Sequence, residues 1–167
     1  MNENRLIRTA SETDAEALAR VEAECFPPKE AATREQIAQR LNRYADHFWV
    51  MEEDGRIISF VDGPVTAEPD LTDDMFADAS VHREDGAWQM IFGVNTVPAC
   101  RRQGCAGALI RRAIADARAQ GRRGLVLTCK ERLIPWYAGF GFVNEGLSAS
   151  VHGGEVWYQM RLAFNHQ

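Results

Sequence analysis

Apolar residues in this chain recur with two different periods, and the switches between them predict its elements. Leu6-Ile7-Arg8 is a short extended segment. Ser11-Glu12-Thr13-Asp14 resembles a capping box with Asp in place of Glu. Leu18, Val21 and Cys25 follow it at helical spacing, and Pro27-Pro28 ends that helix. A second helix starts after Thr33, with Ile37 and Leu41 on its buried face. Residues 48–51 and 57–61 are strand runs, and Glu53-Asp54-Gly55 between them predicts a hairpin turn. Residues 63–86 are polar and contain proline, a long loop of the kind that is functional or mobile. A short helix is expected within it, around 73–80. Residues 88–97 read as one strand, opening directly into a helix over 106–120. On that helix Leu109, Ile110, Ala113, Ile114 and Ala117 make one stripe, while Arg111, Arg112, Asp116 and Arg118 point away from it. Gly121 is a natural stop. A buried strand over 125–128, a helix over 131–138 broken or begun near Pro135, and closing strands at 142–143 and 156–162 complete the pattern. No repeat, low-complexity segment or linker interrupts it. The pattern predicts one α/β domain over residues 1–167, with a central mixed, mostly antiparallel sheet and helices on both faces.

Bulk composition narrows the function. The 167 residues suffice for one domain with a substantial core. Hydrophobic content of 46% and charged content of 26% are those of an ordinary soluble protein. A formal net charge of -5 argues against a nucleic-acid partner. No run reaches membrane-spanning length and no secretory leader is visible, so the expected location is the cytoplasm. Cys25, Cys100, Cys105 and Cys129 have no paired spacing and read as free thiols of a reducing compartment. Acidic residues gather at Asp62, Glu68, Asp70, Asp73, Asp74, Asp78, Glu84 and Asp85. They read as a solvated loop, or alternatively as a mouth that attracts a cationic amine. No His, Cys or Asp cluster has metal-ligand spacing, so no metal is expected.

The chemistry concentrates in Val94-Asn95-Thr96-Val97-Pro98-Ala99-Cys100-Arg101-Arg102-Gln103-Gly104-Cys105-Ala106-Gly107. A strand, a basic glycine-containing turn and a helix start follow one another without a gap. That order gathers free backbone N–H groups at the positive end of a helix dipole, a phosphate-binding arrangement. GxxxxGK[ST] and GxGxxG are both absent, which sets aside the two common nucleotide loops. Cys105 stands where a helix N-terminus favours a thiolate, but no His or acid lies near it in sequence, and packing is the expected role.

Arg101-Arg102-Gln103-Gly104-Cys105-Ala106 fits R/Q-x-x-G-x-G/A and resembles the acetyl-CoA signature of the Gcn5-related N-acetyltransferases. A second block, Leu127-Thr128-Cys129-Lys130-Glu131-Arg132-Leu133-Ile134-Pro135-Trp136-Tyr137-Ala138-Gly139-Phe140-Gly141-Phe142, looks like the same family's strand–helix segment ending in an aromatic-Gly-aromatic turn. Within the family the chain looks closest to the arylalkylamine (serotonin) branch and its bacterial relatives. The resemblance implies an acetyl-CoA-dependent N-acetyltransferase acting on a primary amine of a small molecule. It implies that Val94, Asn95 and Thr96 run beside the pantetheine arm. Arg101, Arg102, Gln103, Gly104, Cys105, Ala106 and Gly107 would cradle the pyrophosphate. Tyr137 would protonate the departing thiolate, and a backbone N–H of the strand would polarise the thioester carbonyl.

At the two positions where the animal serotonin enzymes carry a histidine pair, this chain has Met90 and Phe92, which take no proton. Glu30, in the segment corresponding to the acceptor-binding loop, and His152 are the candidate bases in their place, with His47 and His82 having weaker claims. Phe26, Pro27, Met90 and Phe92 are the expected acceptor-pocket residues, with Trp88 and Trp157 beside them. Two other readings keep the fold: a transferase acting on a protein amine or an aminoglycoside, and a non-catalytic module that binds coenzyme A. Family members are often dimers, which puts a homodimer among the expected assemblies.

Overall fold

The computed structural model describes residues 4–165. They form two compact units, one from the chain up to residue 63 together with 93–113, the other from 64–92 and 114 onward.

The first unit carries a four-stranded antiparallel sheet in the order β1-β2-β3-β6, with β1 Arg5–Thr9, β2 Phe48–Glu53, β3 Arg56–Asp62 and β6 Gly93–Thr96. Helix α1, Ala15–Cys25, packs on β3 and β6. The Ser11 N–H donates to the Asp14 carboxylate at 2.9 Å just before it. Helix α2, Arg34–Tyr44, begins with a reciprocal cap, in which Gln36 N–H donates to Thr33 Oγ1 at 3.1 Å and Thr33 N–H to Gln36 Oε1 at 2.9 Å. Leu18, Val21, Ile37 and Leu41 are buried as their spacing predicts, each contributing about 2 kcal/mol by removal from water. Asp54 and Gly55 both have positive φ, 51° and 81°, as a two-residue hairpin turn between twisted strands requires.

The second unit holds a five-stranded sheet in the order β4-β5-β7-β9-β8. Its strands are β4 Val65–Thr66, β5 Trp88–Ile91, β7 Gly124–Cys129, β8 Val143–Leu147 and β9 Tyr158–Ala163. Only β5 and β7 run parallel among the described pairings. Helices α3, Asp74–Ala77, and α5, Ile134–Ala138, belong here. Helix α4 spans Cys105–Ala119.

Two expectations need correction. The single strand over 88–97 is two strands, β5 and β6, each paired into a different sheet, with the break at Phe92. The acidic stretch is solvated as expected at Glu68, Asp70, Asp74, Asp78, Glu84 and Asp85, which are exposed, but not at Asp62, and several of these acids are paired. Asp62 is 1% exposed. Asp73 accepts hydrogen bonds from Ser150 Oγ and from Val151 N–H, at 2.5 and 2.9 Å. Asp70 pairs with Arg161 and Glu84 with Arg122, each at 2.8 Å.

Candidate functional site

β6 is the end strand of its sheet, so one of its edges has no strand partner within that sheet. Along it Gly93 and Asn95 are buried while Val94 and Thr96 are half-buried. The chain then makes a short 3-10 turn over Pro98–Cys100 and enters the basic loop. Arg102 and Gly104 both adopt the left-handed conformation, at φ 63° and 83°. Left-handed residues in a turn gather successive N–H groups into an anion-binding concavity. The first helical bond of α4 is Ala108 N–H to Gly104 C=O, 3.0 Å, which leaves Cys105, Ala106 and Gly107 in the first turn, where N–H groups lack intrahelical acceptors.

Not every polar group of this loop faces outward for a ligand. Arg101 Nε donates to the Thr96 carbonyl at 3.1 Å and so ties the loop to β6. Gln103 Oε1 accepts from Arg5 Nη2 on β1, and Gln103 Nε2 donates to the Ala99 carbonyl at 3.3 Å. Arg5 Nε also pairs with Glu53 at 2.5 Å. Arg5 is thus a buttress of the loop that no local pattern announces, because it is distant in sequence. Cys105 is buried, and desolvation pushes its thiol up despite the nearby Arg5.

The acceptor-loop residues lie in the same unit. Phe26 is half-buried, Pro27 exposed and Glu30 buried. Glu30 N–H and Ala31 N–H both donate to the Pro27 carbonyl at 2.9 Å, closing a tight turn.

In the second unit Tyr137 is 5% exposed. Its ring meets Trp136 edge-on at 4.8 Å and Phe142 at 6.0 Å. Burial, with a smaller push from Cys129, raises its phenol far above the ordinary range. A phenol so placed keeps its proton and can donate it, but does not act as a resting base. His152 is half-buried and stacks on Phe76 at 4.6 Å, 19° from parallel, and Phe76 in turn meets Phe92 at 4.5 Å. The Trp157 indole N–H donates to the His152 carbonyl at 2.8 Å. Met90 is fully buried among Leu71, Met75 and Val126. His82 Nδ1 accepts Val65 N–H at 3.0 Å, and His47 is 1% exposed with its ring edge-on to Trp49.

The first unit holds Val94, Asn95 and Thr96 next to the 101–107 loop, joined by the Arg101–Thr96 hydrogen bond, and it also contains the 26–30 segment. The second brings together Phe92, His152 and, through Phe76, an aromatic stack. Phe76 was not singled out because an isolated Phe in an acidic stretch carries no periodic signal.

A strand ending in a left-handed basic turn at a helix start is an arrangement that can receive an anion. The model of the acetyltransferase (GNAT) family matches residues 15–142. The chain belongs to that family and is an acyltransferase by membership. Its fold is that of solved relatives. A GphF GNAT-like decarboxylase in complex with isobutyryl-CoA superposes with a TM-score of 0.82 at 21% identity, over 95% of this chain and 98% of that one. The ribosomal-protein-S18-alanine N-acetyltransferase from Escherichia coli gives 0.75 at 18% identity, over 98% and 96%. A GNAT family acetyltransferase from Brucella melitensis in complex with acetyl-CoA gives 0.64 at 21% identity, over 99% and 91%. No helix among the described residues is long and apolar enough to cross a membrane.

Proposed function

We propose that the whole chain, 1–167, acts as one domain that transfers an acetyl group from acetyl-CoA directly to a primary amine of a small molecule. The carrying observation is the open edge of β6 running straight into the left-handed turn at Arg102 and Gly104 and the first turn of α4. Pantetheine is a chain of amides and suits a strand edge. A pyrophosphate suits converging N–H groups and the helix dipole. Solved relatives of the same fold hold acetyl-CoA and isobutyryl-CoA, which supports an acyl-CoA donor here.

In the proposed reaction the amine nitrogen attacks the thioester carbonyl carbon. The resulting oxyanion accepts a hydrogen bond from a backbone N–H of residues 92–96. The C–S bond then breaks, Tyr137 gives its proton to the leaving sulfur, and the nitrogen's surplus proton passes to a base, from which solvent takes it and returns one to Tyr137. No acyl-enzyme is formed. Glu30 and His152 stay as the proposed bases.

An arylalkylamine is the proposed acceptor class. The half-buried aromatic rings Phe76, Phe92, His152 and Trp157 support a flat, apolar amine substituent. Four free cysteines support action in a reducing compartment, the cytoplasm.

The test is release of coenzyme A thiol from acetyl-CoA across arylalkylamines, polyamines, aminoglycosides and N-terminal peptides. Turnover is expected with arylalkylamines, and Tyr137→Phe is expected to lower kcat about 100-fold with little change in KM. Turnover with another class replaces the acceptor. Binding of acetyl-CoA without turnover by any amine favours the non-catalytic module.

A further inference from the structure

Four elements of the first unit bury polar side chains against one another, and none of those groups has a part in the mechanism above except the strand they support. Glu22 on α1 is 5% exposed, Arg40 on α2 6%, Asp62 at the end of β3 1% and Asn95 on β6 0%. Glu22 Oε2 accepts the Ala32 N–H at 2.8 Å. Arg40 Nη1 stands 3.6 Å from Asp62 Oδ2. Asp62 lies opposite Gly93 in the β3–β6 ladder. A Cβ on Gly93 would stand 2.9 Å from Asn95 Nδ2, which would have to shift, and in ordinary contact with Glu22 Oε1 at 3.4 Å and Asp62 Oδ1 at 3.6 Å. The polar side chains of the cluster thus face the start of β6.

Two carboxyl groups here confront one guanidinium. Buried charge is costly unless it is balanced, so the cluster is neutral when one carboxyl keeps its proton. Desolvation, reinforced by Glu22 and opposed by Arg40, raises Asp62 to about 7. Glu22 is raised by burial but held back by the Ala32 N–H, by Arg40 and by the Asn95 amide. The Tyr44 phenol, also on α2, is raised by burial and by Asp62 and stays protonated. The Ala32 N–H and the Asn95 amide favour the charged form of Glu22, whereas burial favours the protonated form of Asp62.

One oxygen of Glu22 consequently holds the segment after Pro27, and the other faces the first residue of β6. Those two stretches are the ones the proposed function assigns to the amine and to pantetheine, and the inference rests on that reading. We propose that Glu22 is a positioning residue for the acceptor amine. Its carboxylate fixes the 26–32 segment to the start of β6, and Asp62 and Arg40 keep that carboxylate in place with its charge balanced. The 101–107 loop is held by its own hydrogen bonds from Arg101 and Arg5, so its hold on the pyrophosphate does not pass through Glu22.

The experiment compares Glu22→Leu, which deletes the acceptor for Ala32 N–H, with Glu22→Gln, which keeps an oxygen there. With the amine that turns over best, Leu is expected to raise the amine KM about tenfold, the worth of one lost hydrogen bond to a charged group. Gln is expected to recover most of that loss. The acetyl-CoA Kd, measured by calorimetry, is expected to stay within about twofold in both. An unchanged amine KM in Leu, an equal rise in the acetyl-CoA Kd, or a Gln variant as damaged as Leu overturns the proposal. Should Leu fail to fold, hydrogen exchange at the Ala32 amide of the wild type decides. Protection that increases when amine joins the CoA-loaded protein supports the role, and unchanged protection overturns it. Failure of the underlying functional reading is seen separately, as wild-type protein that turns over no amine before any variant is made.

Discussion

The 101–107 loop and the Glu22–Asp62 cluster belong to the same compact unit but are built on opposite principles. Residues 101–104 of the loop are exposed, and the groups proposed to bind the ligand are backbone N–H donors presented by local geometry, a left-handed residue at 102, another at 104 and a helix start at 105. The cluster is buried, and its groups are side chains contributed by α1, α2, β3 and β6. Anion binding by backbone needs only a few consecutive residues of the right conformational type. Holding a proton near neutral pH needs desolvation and a fixed charge ratio, which only tertiary packing supplies. The first is therefore local in sequence and the second is not.

Removing the cluster's proton site gives the largest effect expected. Asp62 holds its proton in the folded protein until about pH 7, whereas its ordinary value is 3.8. Between those values the folded state binds a proton that the unfolded state has released, so stability falls as pH rises. At 1.36 kcal/mol per pH unit the loss is about 4 kcal/mol, complete above pH 7 and absent below about pH 4. Asp62→Asn has no such proton to lose. Urea unfolding of both proteins at pH 4.5 and pH 8 is expected to show the variant gaining on the wild type by several kcal/mol, about 3–4, at the higher pH. A difference that does not change with pH would mean that Asp62 is ionised in the folded protein and that the contrast between the two regions is wrong.

The loop responds to a smaller and purely conformational change. A Cβ at Gly104 meets nothing within 4 Å, so Gly104→Ala introduces no clash. Its φ of 83° remains unfavourable for alanine, at about 1–2 kcal/mol. The backbone relieves that strain by turning away from the left-handed conformation, which disperses the N–H groups. CoA affinity is expected to fall about tenfold, with the amine KM unchanged. A variant that binds CoA as tightly as wild type would remove the backbone concavity as the phosphate site.

The same contrast explains what the sequence made legible. The α2 cap at Thr33, the Asp54-Gly55 turn and the stop at Pro27-Pro28 are local, and the first hairpin, α1, α2 and α4 were readable from them. The glycine-containing turn before α4 was readable for the same reason. The break at Phe92 was not, because 88–97 is a run without a strong breaker. Its two halves part company over distant partners, β7 for one and β3 for the other. Glu22 left one trace: it falls between Leu18 and Cys25 on the buried face of α1, a charge in an apolar stripe. Such a charge signals a buried partner but not which one. Arg40 and Asp62 reach it from elements with no sequence relation to α1. The proposed acceptor side draws on residues from separate segments, whereas the proposed cofactor side is one segment.

Arg102 gives the smallest effect and the finest discrimination between the two kinds of site. It is exposed and sits at φ 63°, a conformation that costs a non-glycine residue energy. Backbone strain at a functional position persists when something else requires it. If the requirement is only the shape of the loop, glycine satisfies it better than arginine. Arg102→Gly is therefore expected to unfold at a slightly higher temperature, by about 1 kcal/mol of stability. If the side chain also reaches a phosphate, the same variant binds CoA less tightly, by a few-fold, and its affinity depends less on salt. The two readouts move in opposite directions only when the strained residue is held for its charge. Higher stability with unaltered CoA affinity would leave the site to backbone N–H groups alone, and would make the loop the complete opposite of the buried cluster.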